Sequence, residues 1–372
     1  MRGSSVSTTL GPLGIDLIFM DGSQTIHSAH RYKGVRKQTT GIAGVQFLHL
    51  YYPPLQHHTT MYLRHELAFT LTIPEPFDFA LTVAKPAGWH WSTPKEVFSN
   101  DIFRSGVRIG DIPVGLVMQA KKNRVTVRAF TASPLLKKDR DDLRDLVLSG
   151  LGADEDLIGF YRFAQNDPVL KNATADHPGM RIGLIDDVFG GVILAILLQM
   201  APIGRSEQMM DKVLDHFGTA ISFDRTTVTL WPRAEEIAAL DPAILRKEAN
   251  LGYRAERLVK AAQYIKSHPV SLRQLTTIPE NDAVKVLTAI PGIGRYSAAI
   301  IFGQSTPPID AWSVVIMSEL YEGTTPAGSR EAIEKVQHAL SARWGKWSWL
   351  AFAYILNDLG SLAKVYPLSR VR

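Results

Sequence analysis

Residues 287–299 hold the clearest chemical pattern in the sequence and read Leu-Thr-Ala-Ile-Pro-Gly-Ile-Gly-Arg-Tyr-Ser-Ala-Ala. The Pro-Gly pair predicts that one helix ends there, and a second helix is predicted to begin at Arg295. Gly292 and Gly294 leave the turn without Cβ atoms, so a ligand can come close to the main-chain amides. With the N–H groups at the helix start, these amides predict a phosphate-binding site. Its residues would be Gly292, Ile293, Gly294 and Arg295.

A plain helix–turn–helix connection with a glycine at the helix C-cap is the alternative interpretation of this turn. A bare Gly-x-Gly would favour that alternative. The longer string Leu-x-x-Ile-Pro-Gly-Ile-Gly-x-x-Ser-Ala is more specific and favours phosphate binding. In both interpretations, Ile290 and Ile293 are predicted to face inward and to hold the two helices together.

A carboxylate follows the turn at Asp310, fourteen residues beyond Tyr296 and directly before an apolar helix. Aspartate is a favoured N-cap residue, so capping of that helix is one interpretation. The other is a carboxylate held beside the phosphate-binding turn. There it would stabilise a cation that develops on a sugar, and would orient or deprotonate a water. The spacing alone leaves both interpretations open.

The composition excludes several other kinds of site. The 372 residues contain no cysteine, which excludes disulfides, a cysteine nucleophile, thiolate zinc sites and iron–sulfur clusters. A formal net charge of +5 is compatible with an anionic partner but does not require one. Residues 188–204 are apolar and uncharged but fall short of the about 20 residues of a membrane span, so they predict a buried helix. Without a visible secretory signal, the chain is expected to be soluble and cytoplasmic or otherwise intracellular.

Three segments are predicted to position these groups. Residues 1–64, with six Lys and Arg against two Asp and Glu, are predicted to be an N-terminal extension. Short β-branched runs predict an antiparallel sheet with a flanking helix in residues 65–150, and helical periodicity prevails in residues 151–372. The fold class is therefore predicted to be α+β, an N-terminal antiparallel sheet domain followed by a larger all-helical domain. The predicted strands are residues 67–72, 79–83, 115–118 and 124–130.

These residues resemble the helix-hairpin-helix DNA glycosylase superfamily, in which a hairpin rich in Gly and Pro is followed by one catalytic aspartate. Residues 282–303 correspond to the helix-hairpin-helix itself. Residues 157–168 and 189–199 resemble the entry to the helical domain of the AlkA-like 3-methyladenine DNA glycosylases, and residues 251–255 resemble a loop of the same group. The resemblance extends over residues 66–362 and implies a sheet domain before the helices.

The resemblance implies that Asp310 is the catalytic aspartate. It would stabilise positive charge on the deoxyribose of a nucleotide that is flipped out of the duplex. Bifunctional members carry a lysine where this chain has Tyr296, and a phenol cannot form the Schiff base that leads to strand cleavage. A monofunctional enzyme that uses water is therefore implied. The absence of a four-cysteine cluster loop favours the AlkA-like or 8-oxoguanine branch, and Tyr296 favours the AlkA-like one.

The resemblance also implies roles around the base. Met200 corresponds to the position at which AlkA-like enzymes insert a side chain into the duplex, with an exposed loop-end methionine as the alternative. Gln199 would then touch the flipped or the orphaned base, and Arg205 would contact the opposite strand. Tyr296 would line the base pocket or pack in the core. Trp312 would stack on a cationic alkylated purine or belong to the core.

The implied function is base excision by a DNA glycosylase, most directly one for alkylated purines. Uracil, hypoxanthine and oxidised guanine are alternative substrates. A non-catalytic DNA-binding protein is an alternative function, which the short segment between the hairpin and Asp310 would support. The expected partner is double-stranded DNA with a damaged base and not a membrane, and the chain is expected to be a monomer. No cofactor or side-chain metal site is implied, although hairpins of this family can hold a monovalent cation on their carbonyls.

Overall fold

The computed structural model describes residues 60–303 and 306–371, which contain both strands and helices. The strands are β1 (Met61–Tyr62), β2 (His65–Thr72), β3 (Val97–Ser99), β4 (Ile102–Ile109), β5 (Ile112–Lys121), β6 (Arg124–Thr131), β7 (Thr219–Phe223) and β8 (Thr226–Leu230). The helices are α1 (Phe79–Val83), α2 (Lys137–Gly150), α3 (Leu157–Ala164), α4 (Pro168–Asp176), α5 (Val188–Leu198), α6 (Ile203–Phe217), α7 (Ala234–Ala238), α8 (Pro242–Glu248), α9 (Arg254–Ser267), α10 (Leu272–Leu275), α11 (Glu280–Thr288), α12 (Arg295–Phe302), α13 (Ser313–Tyr321), α14 (Arg330–Trp344), α15 (Ser348–Asn357) and α16 (Leu359–Val365).

Five strands form an antiparallel sheet in the order β2-β6-β5-β4-β3. Three of the four predicted strands lie in β2, β5 and β6 and are confirmed. The fourth prediction is wrong, because Phe79–Val83 is helix α1. Asp78 accepts a hydrogen bond from the N–H of Leu81 at 2.8 Å. This N-cap starts a helical turn in a segment whose residue types favour a strand.

A second, three-stranded sheet interrupts the part of the chain that the sequence predicts to be all-helical. Strands β7 and β8 form a hairpin, and β1 pairs with β7 in parallel. The turn residues Asp224 and Arg225 have left-handed backbone angles, with φ of 43° and 61°. Such angles are typical of two-residue hairpin turns. The all-helical prediction is wrong here because it overlooks the alternating Thr, Val and Ile residues of these strands.

Two paired glycines allow the two sheets to pack closely. Gly106 of β4 lies opposite Gly115 of β5 in the antiparallel register. A Cβ atom on Gly106 would lie 2.6 Å from Leu230, and one on Gly115 would lie 2.3 Å from Phe223. Side chains of the β7–β8 hairpin therefore fill the space that larger residues would occupy. Phe130 also stacks on Phe223, with ring centroids 5.6 Å apart.

Helix α5 lies at the centre of the largest hydrophobic core. Asp187 caps its start by accepting a hydrogen bond from the N–H of Gly190 at 2.7 Å. Most of its side chains are buried, which confirms the buried helix predicted from residues 188–204. In the part of the chain that the structure describes, no helix is long and apolar enough to cross a membrane.

The described residues from 60 onward belong to one compact unit. The predicted extension, residues 1–64, lies outside the described residues as far as residue 59, and strand β1 falls within its last residues. The predicted boundary between the sheet and helical domains coincides with the end of α2 at Gly150 and stays a prediction.

Candidate functional site

The predicted turn joins α11 to α12 and follows the expected course. Gly292 has a left-handed backbone angle, φ +87°, which residues with a side chain rarely adopt. Ile290 and Ile293 are buried in the core around α5, and the N–H of Ile293 donates to the carbonyl of Ile290 at 3.0 Å. The predicted inward orientation of the two isoleucines is confirmed. We refer to residues 289–294, with the first turn of α12, as the hairpin.

The outer side of the hairpin presents main-chain N–H groups to solvent. Gly292, Gly294 and Arg295 are all exposed. Gly294 is the N-cap of α12 and has no side chain with which to cap the N–H groups of the first turn. A Cβ atom added to Gly294 would meet no described atom within 4 Å, so a ligand has room beside the backbone. The hairpin therefore has the geometry of an anion site at the positive end of a helix dipole.

Asp310 caps the turn that leads into α13 and also lines a cleft. Its Oδ1 accepts hydrogen bonds from the N–H of Trp312 at 3.1 Å and from the N–H and Oγ of Ser313, both at 2.7 Å. The N–H of Asp310 donates to the same Oγ at 2.9 Å. The two interpretations of this residue are compatible, because capping occupies one carboxylate oxygen and leaves Oδ2 for another contact.

The second oxygen of Asp310 faces Tyr296 on the hairpin helix. The Tyr296 hydroxyl donates to Oδ2 at 3.4 Å. Burial raises the pKa of this phenol, and the negative charge of Asp310 raises it further. The phenol therefore stays protonated near neutral pH and supports the carboxylate as a donor. The short segment between hairpin and Asp310 still brings the acid against the hairpin helix.

A cleft of about 1420 Å³ adjoins this pair and is lined by both sheet and helical elements. Trp89 and Trp349 stack in its wall, with centroids 6.3 Å apart and planes inclined by 24°. Trp312 also lines the cleft and is 41% exposed, which contradicts the alternative that it belongs to the core, and its stacking on a base stays a prediction. We call Tyr296, Asp310 and Trp312 the hairpin wall of this cleft.

The cleft is also lined by residues from the connection between α1 and β3, residues 84–96. We call this connection the sheet wall. The N–H of Ala87 donates to Oδ1 of Asn357 at 3.0 Å and ties the wall to helix α15. Trp91 is buried, and its Nε1 donates to the carbonyl of Gly150 at 2.7 Å. These contacts anchor the wall to both the helical and the sheet part.

Comparison with known proteins agrees with this geometry. No protein-family model matches the sequence. A DNA-3-methyladenine glycosylase of Bacillus subtilis (strain 168) is 22% identical over 304 residues, which cover 79% of this chain and 99% of the relative. DNA-3-methyladenine glycosylase 2 of Escherichia coli (strain K12) is 26% identical over 185 residues, which cover 49% of this chain and 61% of the relative.

Solved structures share the fold. A 3-methyladenine DNA glycosylase from Archaeoglobus fulgidus matches with a TM-score of 0.62 at 21% identity, over 78% of this chain and 98% of that one. MBOgg1 in complex with a low-affinity DNA ligand matches with a TM-score of 0.64 at 19% identity, over 80% and 96% of the two chains. The fold of this chain is thus the one seen in helix-hairpin-helix DNA glycosylases, and its relatives named DNA-3-methyladenine glycosylase support the resemblance to that superfamily. Its curated relatives support the AlkA-like branch.

Three residues that the family resemblance singles out lie outside the cleft lining. Met200 lies two residues after the end of α5, has a φ of 49° and is 93% exposed. Arg205 is exposed on α6. The side-chain amide of Gln199 donates to the carbonyl of Gly292 at 2.8 Å and so contacts the hairpin. The contact of Gln199 with a base stays a prediction.

Sequence reasoning missed a group of buried ionisable residues in the sheet wall. Burial raises the pKa of Glu96 to about 7, although the N–H groups of Trp91 and Ser92 and the charge of Lys85 act to lower it. Burial lowers the pKa of Lys85 to about 8. Burial and the charge of Lys85 lower the pKa of His90 to about 4. No local pattern marks these residues, because their burial depends on the elements that pack over the loop.

Proposed function

We propose that this protein is a DNA glycosylase of base excision repair, which hydrolyses the N-glycosidic bond of a damaged base flipped out of the duplex. The position of Asp310, with one oxygen locked by capping contacts and the other facing a large cleft beside the hairpin, carries the proposal. Relatives are named as DNA-3-methyladenine glycosylases, and structural neighbours were solved with DNA. The partner is double-stranded DNA, and the protein acts as a monomer without a cofactor.

The hairpin would bind the backbone of the lesion strand. Its exposed N–H groups lie at the start of α12, where the helix dipole favours a phosphate. Open space beside Gly294 lets the strand approach the main chain directly. Because the same helix carries Tyr296, binding of a phosphate at its start places the neighbouring sugar near the hairpin wall.

Asp310 would supply the electrostatic part of catalysis. Cleavage of the N-glycosidic bond builds positive charge on the deoxyribose, and a carboxylate close to C1′ stabilises that charge more than the ground state. Hydrogen bonds from Trp312 and Ser313 hold Oδ1 in place, so the carboxylate need not reorganise during the reaction. Its Oδ2 would orient a water or accept a proton from it.

The reaction would stop at an abasic site. Tyr296 occupies the position at which bifunctional relatives carry lysine, and a phenol has no amine with which to form a Schiff base. The raised pKa of Tyr296 also keeps the hydroxyl protonated beside Asp310. Water is therefore the proposed nucleophile, and strand cleavage is not part of the proposed activity.

Alkylated purines are the proposed substrates. Trp89, Trp312 and Trp349 are among the tryptophans that line the cleft. Electron-rich indole rings attract a cation over their faces, and many alkylated purines carry a positive charge. Uracil, hypoxanthine and oxidised guanine are the alternatives to test, since an 8-oxoguanine glycosylase/lyase of Clostridium acetobutylicum shares the fold with a TM-score of 0.61.

A panel of duplexes, each with one methylated purine, uracil, hypoxanthine or 8-oxoguanine, tests these proposals. The expected product is an alkali-sensitive abasic site in the methylated-purine duplex, with no strand break before alkali. Asp310→Asn should lose the activity, and Asp101→Asn, an exposed turn residue between β3 and β4, is the matched control that should keep it. Salt-dependent DNA binding without excision of any lesion would instead indicate a non-catalytic DNA-binding protein.

A further inference from the structure

Gln199 links the end of α5 to the hairpin through its side chain. Its Nε2 donates a hydrogen bond to the carbonyl of Gly292 at 2.8 Å and lies 3.4 Å from Oγ of Ser297. Its Oε1 accepts a hydrogen bond from Nη1 of Arg257 at 2.8 Å. The carboxamide therefore bridges a main-chain carbonyl of the hairpin and a guanidinium of α9.

The two partners of Gln199 require a carboxamide. The Gly292 carbonyl needs a donor and the Arg257 guanidinium needs an acceptor, and a carboxamide offers one of each. A glutamate would still accept from Arg257 but would place an oxygen against the carbonyl. A methionine of similar length would satisfy neither partner.

The main chain of Gln199 is anchored as well. Its carbonyl accepts hydrogen bonds from the Arg254 guanidinium and from the Tyr253 hydroxyl, the latter at 3.4 Å. The guanidinium carbons of Arg254 and Arg257 lie 4.6 and 4.7 Å from the centroid of the Tyr253 ring. Cation–π contacts with one ring thus hold both arginines where they contact Gln199.

The residue after this anchor is the protruding Met200. Its side chain is 93% exposed, and its φ of 49° lies in the left-handed region. That conformation is unfavourable for a residue with a side chain, so it persists only where neighbouring contacts impose it. The contacts of Gln199 on both its main chain and its side chain supply this constraint.

We propose that Gln199 is a positioning residue that holds Met200 at a set distance from the hairpin. The proposal rests on the proposed function, in which the hairpin binds the lesion strand, and on the role that the family resemblance implies for Met200, insertion into the duplex. A wedge can displace a base only if the strand beside it is held in place. The hydrogen bond from Gln199 to Gly292 connects the residue before Met200 directly to the hairpin.

Base extrusion, rather than bond cleavage, would then depend on Gln199. A well-paired lesion must be displaced against both pairing and stacking, whereas a mispaired lesion leaves the duplex more readily. Loss of the link should therefore slow excision from a normal pair more than excision from a mispair. A general defect in folding or DNA binding would slow both to the same extent.

Gln199→Met keeps the length and neutrality of the side chain and removes both hydrogen bonds. Gln208→Met, an exposed residue of α6, is the matched control. Single-turnover excision is measured on one lesion in its normal pair and in a mispair. For Gln199→Met, we expect a loss of about tenfold in the normal pair and less than about twofold in the mispair. Equal losses in the two duplexes would overturn the proposal.

A fluorescent base analogue next to an uncleavable lesion reports extrusion without any chemistry. At saturating protein, Gln199→Met should give a smaller rise in fluorescence than the wild type and Gln208→Met. Gln199→Glu should behave like Gln199→Met, because it also lacks the donor to Gly292. An unchanged rise would overturn the role of Gln199. If the wild type extrudes the base but excises no lesion, the proposed function fails while the fluorescence still decides the role of Gln199.

Discussion

The hairpin wall and the sheet wall of the cleft differ in how their ionisable groups meet water. Asp310 is half-buried and stands beside exposed main-chain N–H groups. Lys85 is buried and Glu96 is half-buried, and burial moves their pKa values to about 8 and about 7. In the proposed function the hairpin wall carries the chemistry, whereas the sheet wall shapes the cleft, and its shifted pKa values predict a folding stability that depends on pH.

The strongest test of the hairpin wall is Asp310→Asn. The amide oxygen can still accept from Ser313, so the cap and the folding stability should persist. The negative charge that offsets the sugar cation is lost, and single-turnover excision should fall by about 10²–10³-fold. Affinity for an abasic-site duplex is measured alongside and should change little. An Asp310→Asn variant that excises at the wild-type rate would contradict the catalytic role proposed for Asp310 and thus for the hairpin wall.

For the sheet wall, the sharpest test is the pH dependence of Glu96→Gln. The pKa of Glu96 is about 7 in the folded protein against an ordinary value of 4.5. Between these values the folded protein keeps a proton that the unfolded chain has released, so this group's contribution to stability falls as pH rises.

Glu96→Gln cannot titrate, so the free energy of unfolding of the wild type should fall relative to the variant by about 3 kcal/mol between pH 4.5 and 7. Urea unfolding at a series of pH values measures this difference. A difference between wild type and Glu96→Gln that does not vary with pH would contradict the burial argument.

The two hairpin glycines allow binding to be separated from folding. Gly294 has an ordinary φ of −97° and open space around its Cα, so Gly294→Ala should leave folding stability unchanged. Its methyl group would stand between the amides and a phosphate, and duplex affinity should fall about tenfold. Gly292→Ala, at φ +87°, should instead lower the free energy of unfolding by about 1 kcal/mol or more. Loss of stability without loss of affinity in Gly294→Ala would contradict the proposed phosphate site.

The smallest expected effect belongs to Ser313→Ala. Its Oγ donates to Oδ1 of Asp310 and accepts from the N–H of the same residue. Removal should cost about 1 kcal/mol, which corresponds to a fall in excision rate of about fivefold, because the carboxylate is held less firmly. Thermal unfolding and single-turnover rates of Ser313→Ala and Ser313→Thr distinguish loss of positioning from loss of fold. Ser313→Thr retains the hydroxyl and should restore most of the rate.

Local patterns predicted much of the fold and part of the site. The strands in β2, β5 and β6, the buried helix α5 and the inward isoleucines of the hairpin all follow from periodicity and turn residues. Phe79–Val83 was misassigned because one capping aspartate outweighs the strand preference of its neighbours. The β7–β8 hairpin was missed because its alternation of residue types is short and lies between strongly helical segments. Such weak local preferences yield to tertiary contacts.

The sequence by itself determined that a turn with two glycines lies at residues 292–294, that Asp310 shortly precedes a helix, and that no cysteine chemistry is present. These properties reside in residue type and near-neighbour spacing, which a chain carries in any conformation. Only the tertiary structure decided that Asp310 faces Tyr296 and that the side chain of Gln199 contacts the hairpin. It also decided which charges of the sheet wall lose water, because burial and contacts between distant segments depend on how the elements pack.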